Sequence, residues 1–550
     1  MRKPTTTPAD NVSVQSITSF FFCCFPVILF ALVQASPIQI PDLTKCQVAS
    51  ASSASGPPVT LYFNCCLPII GPIVDFSFEK YKPIRKHIRR PAHTASEEYI
   101  AKYMKAYELM RALPDTDPRS LKVQANIHCS FCNGGYLQAG VNGDIPLQVH
   151  FSWFFLPWHR WYLYFHERIL GSLIGDPGFS LLYWEWDDQV YGGNQIPEMY
   201  TRVNTSLYDE KRRVEVQPPT IVPLAASTPA NLSASIVINQ NLNNMYQSVV
   251  TASTATLFMG GAMRAGEDLS NSTVINNPLG GSLENGLHSA IHYYVGDPRT
   301  QLLQNMGNFG TAARDPIFYS HHSNVDRLWE VWRFNMPDGE RFDHTDPDFL
   351  NAEFVFYDEN ANMVRVKVSD ALDGEKLGVY YKKGRSDNLW INYSPPASTN
   401  ESAVPVAVAA GVPFVGEERL NGTITIGTNF SAIVRRPSEK KPSKKLEVLN
   451  IQGVQVAREE FVALVAFVNI PWAGESTATN SAEYLGTFNI VPSADKSKHL
   501  NVNVKYEIGD NLKRIGINEE DEVVISLVVT GGSTNATLTI QGLKIDYEDQ

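Results

Sequence analysis

Apolar and polar positions follow two periods along this chain, and the change from one to the other divides it. Tyr99, Ile100, Tyr103, Met104, Tyr107 and Met110 recur as one helix face that stops at Pro114, with Thr94-Ala95-Ser96-Glu97 reading as a capping box ahead of it. Residues 153–174 have no internal glycine before Gly171 and are aromatic on several sides, which predicts a thick, buried helix with Pro157 near its start. Residues 284–294 predict a shorter helix. Asp315-Pro316 supplies a cap and a first-turn proline for a further helix over 317–334. Near Asn392 the periodicity fails: SPPASTNESAVPVAVAAGVP has no aromatic residue and reads as an exposed linker. Beyond it, β-rich stretches at 423–426, 446–456, 461–468, 485–491, 500–506, 523–529 and 537–547 lie between turn residues, the pattern of a β-sandwich. The basic run RRPSEKKPSKK, 435–445, reads as a solvated hairpin.

The start of the chain is different again. Residues 20–33 (FFFCCFPVILFALV) follow Arg2 and Lys3 and precede the small-residue exit Gln34-Ala35-Ser36. At about 14 residues, and interrupted by Pro26, the run is too short to span a bilayer comfortably, so 1–36 read as a removed secretory signal in preference to an anchor. No other stretch is apolar for long enough to cross, and stable membrane insertion is not expected. Sequons at Asn204, Asn231, Asn271, Asn392, Asn400, Asn421, Asn429 and Asn535 agree with a glycosylated secretory product.

Composition narrows the classes. The 550 residues carry a formal charge of -11, which leaves no basic excess for a nucleic-acid partner, and 43% apolar against 19% charged residues allow a large core. Of seven cysteines, Cys23 and Cys24 leave with the leader. Cys46, Cys65, Cys66, Cys129 and Cys132 remain, enough for two bridges and one thiol over, and they hold the Ser/Pro/Gly-rich lead at 50–58.

The histidines carry the chemistry. His128, His150 and His159 form one set; His288, His292 and either His321 or His322 form a second. His288 and His292 are four apart on a predicted helix and share a face, so both can grip one ion. His321 and His322 diverge by about 100° and cannot both face one centre. His166 lies about 10 Å along the helix from His159, too far to share a metal, and receives a packing role. His87, His93, His344 and His499 are expected to be solvated. Imidazole suits copper, zinc, iron and nickel, so the residues alone leave the metal open.

The stretches NIHCSFCNGGY, LQVHFSWFFLPWHRWYLYFHERILGSL, ENGLHSAIH and NFGTAARDPIFYSHHSNVDRLWEVW resemble the two copper-binding regions of plant polyphenol oxidases, the family of catechol oxidase, tyrosinase and aureusidin synthase. The resemblance continues through TDPDFLNAEFVFYDENANMVRVKVSD and covers most of 40–390. It implies a mainly α catalytic domain, 37–391, built round a four-helix bundle that holds a type-3 pair of copper ions. A protease-sensitive linker, 392–413, and a C-terminal β-sandwich, 414–550, that shields the site would follow. CuA would be held by His128, His150 and His159, and CuB by His288, His292 and His322, with Asp326 as an acceptor orienting His322. Cys132 would form a thioether with His150, and the disulfides would be Cys46 to Cys66 and Cys65 to Cys129. Phe309 would be an aromatic gate over CuB, Glu284 a water-orienting acid, and Ser289 and Tyr293 residues that tune substrate choice. Many monophenol-hydroxylating relatives carry Asn where Ser289 stands. In the tail, REEFVALVAFVNIPW replaces the family's Lys-Phe-Asp-Val motif.

The implied function is a latent oxidase that converts o-diphenols to o-quinones while O2 is reduced to water. Its partners would be small phenols, O2 and a processing protease. A specialised aurone-forming or monophenol-hydroxylating enzyme is the alternative within the family, and an O2 carrier a remote one. A two-zinc hydrolase fits poorly, because such sites usually recruit carboxylates instead of six imidazoles. The short leader favours the secretory route, to the vacuole or outside the cell, over the thylakoid lumen.

Overall fold

The structure is a computed structural model that describes residues 36–550 except 53–59, 84–85, 227, 229–231, 271–278, 398–413, 416–421, 439–441, 443, 460, 495–498, 518–520 and 532–536. The leader, most of the expected linker, and the sequons at Asn231, Asn271, Asn400, Asn421 and Asn535 lie outside the described residues. As the two periods predict, a helical core is followed by a C-terminal β-rich domain.

The core helices are Glu97–Ala112, Leu121–Cys132, Phe155–Leu173, Ser289–Val295 and Ile317–Phe334. The first begins two residues later than the capping box implied. Ser96 accepts from the Tyr99 N–H at 3.2 Å, whereas the Thr94 hydroxyl donates to the Pro91 carbonyl and closes a separate 3-10 turn, Ala92–Thr94. Leu121–Cys132 has no counterpart among the expected helices, although Ser120 caps it by accepting from the Val123 N–H at 3.2 Å. The helix expected at 284–294 splits into a π-helical turn, Leu283–His288, and the α-helix Ser289–Val295. Asp315 accepts from the Ile317 N–H at 3.0 Å, as a cap does, and also pairs with Arg212.

Trp158, Trp161, Trp329 and Trp332 are buried, so both long helices are enclosed on several sides. A buried charge network fixes them against each other. Arg160 donates to Asp326 at 2.6 Å and to Glu330 at 2.6 Å, while Arg89 donates to Glu167 at 2.9 Å and to Asp326 at 3.2 Å. Both disulfides are present, Cys46–Cys66 and Cys65–Cys129, and the second ties the lead to the Leu121–Cys132 helix. At the described ends of the lead, Ala49–Ser52 and Thr60–Phe63 pair antiparallel.

The tail is two five-stranded sheets. In one, Lys445–Ala457 pairs with His499–Glu507, Thr537–Ile540 and Gly542–Asp549, and Gly422–Thr425 joins Thr537–Ile540 at the edge. The other runs Tyr484–Ile490, Val462–Val468, Glu522–Thr530, Asn429–Arg435, Phe414–Val415. The strand Asn429–Arg435 escaped the sequence pattern, and the stretch at 537–547 is two strands that break at Gln541. The basic run is not a hairpin: it crosses from Asn429–Arg435 in one sheet to Lys445–Ala457 in the other. Arg436 donates to Glu447 at 2.6 Å, which anchors its start.

Three of the four histidines expected in solvent are withdrawn from it. His87 is buried and bonds the Phe179 carbonyl at 2.8 Å; His344 is partly buried and bonds the Gly260 carbonyl at 2.9 Å; His93 is partly buried beside two carboxylates. Only His499 is exposed. Each withdrawn ring meets a group from a distant segment, which local sequence cannot display.

Candidate metal centre

Five helical segments and one loop bring the histidines together. His128 lies near the end of Leu121–Cys132 and His159 in the first turns of Phe155–Leu173. His288 closes the π turn, His292 follows in Ser289–Val295, and His321 and His322 lie on Ile317–Phe334. The π turn bulges beside His288, a common device at functional sites. His150 is on a loop where Phe151 has a left-handed φ of 59°. Two side chains hold that turn. Glu284 accepts from the Phe151 N–H at 2.7 Å, and Gln148 accepts from the Val149 and His150 N–H groups at 2.9 and 3.0 Å.

The tautomers follow from the hydrogen bonds. Nδ1 of His128 bonds the Phe309 carbonyl at 2.9 Å, that of His159 the Phe155 carbonyl at 2.7 Å, that of His288 the Glu284 carbonyl at 3.2 Å, and that of His292 the Met306 carbonyl at 2.5 Å. Nδ1 of His150 bonds the Gln148 side-chain oxygen at 3.2 Å. A carbonyl only accepts, so each Nδ1 carries the proton and each Nε2 presents a lone pair. The buried Nε2 atoms of His128, His150, His159 and His288 have no hydrogen-bond partner. Nε2 of His292 faces Nε2 of His322 at 3.4 Å, the separation of two imidazoles sharing an ion at bond lengths of about 2.0–2.1 Å.

His321 and His322 part company at the proton. The Trp186 indole N–H donates to Nδ1 of His321 at 3.1 Å, so Nδ1 is the acceptor and a neutral ring keeps its hydrogen on Nε2. His322 stacks on His159 with ring centres 4.2 Å apart and has no partner at Nδ1. Asp326 does not orient it: its carboxylate is taken by Arg160, Arg89 and Tyr381, because the helix turns the acid toward the charge network. His166 has the expected packing role, stacked on Tyr319 at 3.5 Å with the Tyr107 hydroxyl 3.0 Å from Nε2.

Burial favours the neutral ring throughout. It pushes His128, His150, His288 and His322 well below the ordinary imidazole range, with neighbouring imidazoles adding to the effect. His159 falls to about 3 and His292 to about 4, both mainly through burial. Glu284 is pushed up by the same cause. Buried Nε2 lone pairs on His128, His150, His159 and His288 that receive no hydrogen bond are a poor arrangement for a metal-free protein and a good one for cations. Nitrogen-only donors of this softness fit copper.

Cys132 is a buried free thiol, within 4.8 Å of ligand atoms on both His128 and His150. The Phe309 ring lies flat on His150, 4.0 Å away, and 6.3 Å from His292, so it covers the first triplet more closely than the second. Its N–H donates to the Pro492 carbonyl of the tail at 3.0 Å. The Ser289 hydroxyl donates to the Glu284 carbonyl at 2.8 Å. Tyr293 is capped by Phe461 of the tail, ring centres 3.8 Å apart. Sequence reasoning missed Gln148, Trp186 and the carbonyls of Phe155, Met306 and Phe309. Only Phe155, one helical turn before His159, left a readable signal.

A buried set of neutral imidazoles, with donor atoms of His288, His292, His321 and His322 in one cluster and of His128, His150 and Cys132 in another, defines a dicopper oxidoreductase centre of the tyrosinase kind. Residues 118–335 match the common central domain of tyrosinase, 343–396 the polyphenol oxidase middle domain, and 422–547 the chloroplastic polyphenol oxidase C-terminal domain. A chloroplastic polyphenol oxidase of Malus domestica is 39% identical over 93% of this chain and 85% of its own length. Chloroplastic catechol oxidase B of Solanum tuberosum is 38% identical over 95% and 86%, and chloroplastic (+)-larreatricin hydroxylase of Larrea tridentata 39% over 86% and 80%. Among solved structures, a latent aurone synthase (polyphenol oxidase) from natural source superposes with a TM-score of 0.83 at 34% identity, over 94% of this chain and 99% of that one. The chain belongs to the plant polyphenol oxidase family and is a copper oxidoreductase.

These relatives overturn the secretory expectation. All three are named chloroplastic, which points to the plastid in place of the vacuole or the cell exterior. A short apolar run with a small-residue exit is an export signal that two membranes can read, so its shape does not name the membrane. Among the described residues, no helix is long and apolar enough to cross a bilayer.

Proposed function

We propose that the protein is a latent catechol oxidase, in which two o-diphenols and one O2 give two o-quinones and two waters. The observation that carries this is the set of five imidazoles whose Nδ1 protons are spent on fixed oxygens, leaving their Nε2 lone pairs converging in a buried space. In this reading His128, His150 and His159 hold one ion, and His288, His292 and His322 the other. Bound copper supplies the paired one-electron couples that let two electrons reach O2 together. The carbonyls behind the rings hold each imidazole's direction and tautomer. Phe309 presents a ring face to an entering phenol, and Cys132 restrains His150 through a thioether.

Diphenol oxidation is favoured over monophenol hydroxylation by the surroundings of Glu284. One carboxylate oxygen is held by the Phe151 N–H, and the Ser289 hydroxyl is turned to the helix carbonyl, so Ser289 gives no second donor to orient a water against the acid. The tail supplies latency by covering Tyr293 and the π turn, and cleavage within 392–413 by a processing protease would free the catalytic part, 37–391, from the shielding part, 414–550. The test is oxygen uptake by copper-loaded protein before and after cleavage in that segment. Catechol should be oxidised rapidly only after cleavage and a simple monophenol slowly or not at all. Protein that holds two copper ions, is cleaved, and leaves catechol untouched would refute the reading.

A further inference from the structure

Away from the copper centre, a second group of ligand-bearing side chains lies where the 3-10 turn Ala92–Thr94 meets the loop after strand Leu182–Tyr183. Nε2 of His93 is 3.9 Å from a Glu185 carboxylate oxygen and 3.7 Å from Asp188 Oδ2. Each of the three residues has a donor atom within 4.8 Å of the others. Edges of 3.7–3.9 Å belong to a tetrahedron with bonds of about 2.3–2.4 Å, a few tenths longer than zinc makes to imidazole and carboxylate.

The group is built and incompletely satisfied. Asp188 is held by its own loop, accepting from the Val190, Tyr191 and Gly193 N–H groups at 3.1–3.2 Å. Glu185 is 4% exposed, and one of its carboxylate oxygens is buried with no hydrogen-bond partner, as is Nδ1 of His93. The surrounding charge does not balance. Arg327 is the buried guanidinium nearby, and it is already shared between Asp187 at 2.5 Å and Asp387 at 3.0 Å. Lys382 and Arg385 act on His93 only from exposed positions. Burial and the adjacent carboxylates push Glu185 up, the response of a site short of positive charge.

We propose that His93, Glu185 and Asp188 form a third metal site, distinct from the copper pair, for a divalent cation of zinc's ligand preference. One imidazole and two carboxylates make a harder donor set than the six imidazoles of the centre, which separates the two by chemistry as well as place. The ion staples the Ala92–Thr94 turn to the loop that carries Trp186, and the Trp186 indole fixes His321 beside the copper ligands. Its role is structural, and His93, Glu185 and Asp188 do not touch substrate.

The test uses full-length, copper-loaded protein incubated with zinc, freed of loose metal by gel filtration, and analysed for both elements. Wild type should retain one zinc ion beside two copper ions and melt at a higher temperature with zinc than without. Glu185→Gln and Asp188→Asn should each weaken zinc retention by about tenfold or more while keeping both copper ions, the wild-type fold and, after cleavage within 392–413, diphenol oxidation. The proposal is overturned if wild type holds no zinc beyond its copper, if zinc appears only at copper's expense, or if the variants bind it as tightly. A rise in melting temperature for Glu185→Gln, without any zinc effect on wild type, would equally overturn it by marking Glu185 as a protonated carboxyl.

Discussion

The contact between Asn489 and the π turn should set how tightly the tail is held. Asn489 lies on the tail strand Tyr484–Ile490 and is fully buried, and its amide donates to the carbonyls of Asn285 and Gly286, both at 2.9 Å. The bonds cross from tail to catalytic part just before His288, so Asn489→Ala removes docking energy while leaving the tail's own strand ladder intact. Two neutral hydrogen bonds contribute about 1–3 kcal/mol together. At tenfold per 1.4 kcal/mol, the open fraction should rise about 5- to 150-fold. The assay is catechol oxidation by uncleaved protein, with the cleaved form of each variant as reference. Uncleaved Asn489→Ala should gain activity in that range, while the cleaved forms of wild type and variant agree. Equal uncleaved rates, with melting showing the variant folded, would refute the claim that these bonds hold the tail down.

Three further outcomes follow from the same geometry. His322→Asn should lose one copper ion per chain and the optical band that peroxide induces in a coupled pair, whereas His321→Asn should keep both, because only His321 has Nδ1 occupied as an acceptor by Trp186; loss of copper from both alike would undo the tautomer argument. Peptide mass analysis of copper-exposed protein should find the Cys132 and His150 peptides joined and lighter by a pair of hydrogens, a signal absent from Cys132→Ser; separate peptides throughout would remove the thioether. Copper-free protein should lose stability as pH falls from about 6.5 toward 4, because the unfolded chain takes up protons at imidazoles that burial holds near 3 for His159 and 4 for His292. At pH 5 each such ring costs about 2 kcal/mol. Glu284 and Glu185, pushed up by burial, act in the opposite sense but are outnumbered. Urea midpoints that stay level between pH 7 and 5 would contradict this.

Much of the design is legible in the sequence. The apolar stripe through Tyr103, Tyr107 and Met110, the aromatic bulk around His159 and the capped run ending at Phe334 reported three helices, because helix burial writes a period into the chain. The i, i+4 pair His288 and His292 survived even though a π turn replaced the first half of its helix. Hairpin geometry was misread at 435–445, since turn residues show that a chain reverses or crosses without showing which sheet receives it. The chain alone thus determined the helical core, the β tail and the histidines, all of which depend on local periodicity and residue type. Only the tertiary structure decided which nitrogen each imidazole presents, that Asp326 serves the arginines instead of His322, and that His93 meets Glu185 and Asp188. Those outcomes depend on partners tens to hundreds of residues away, and a proton goes to whichever oxygen or nitrogen the fold places beside it.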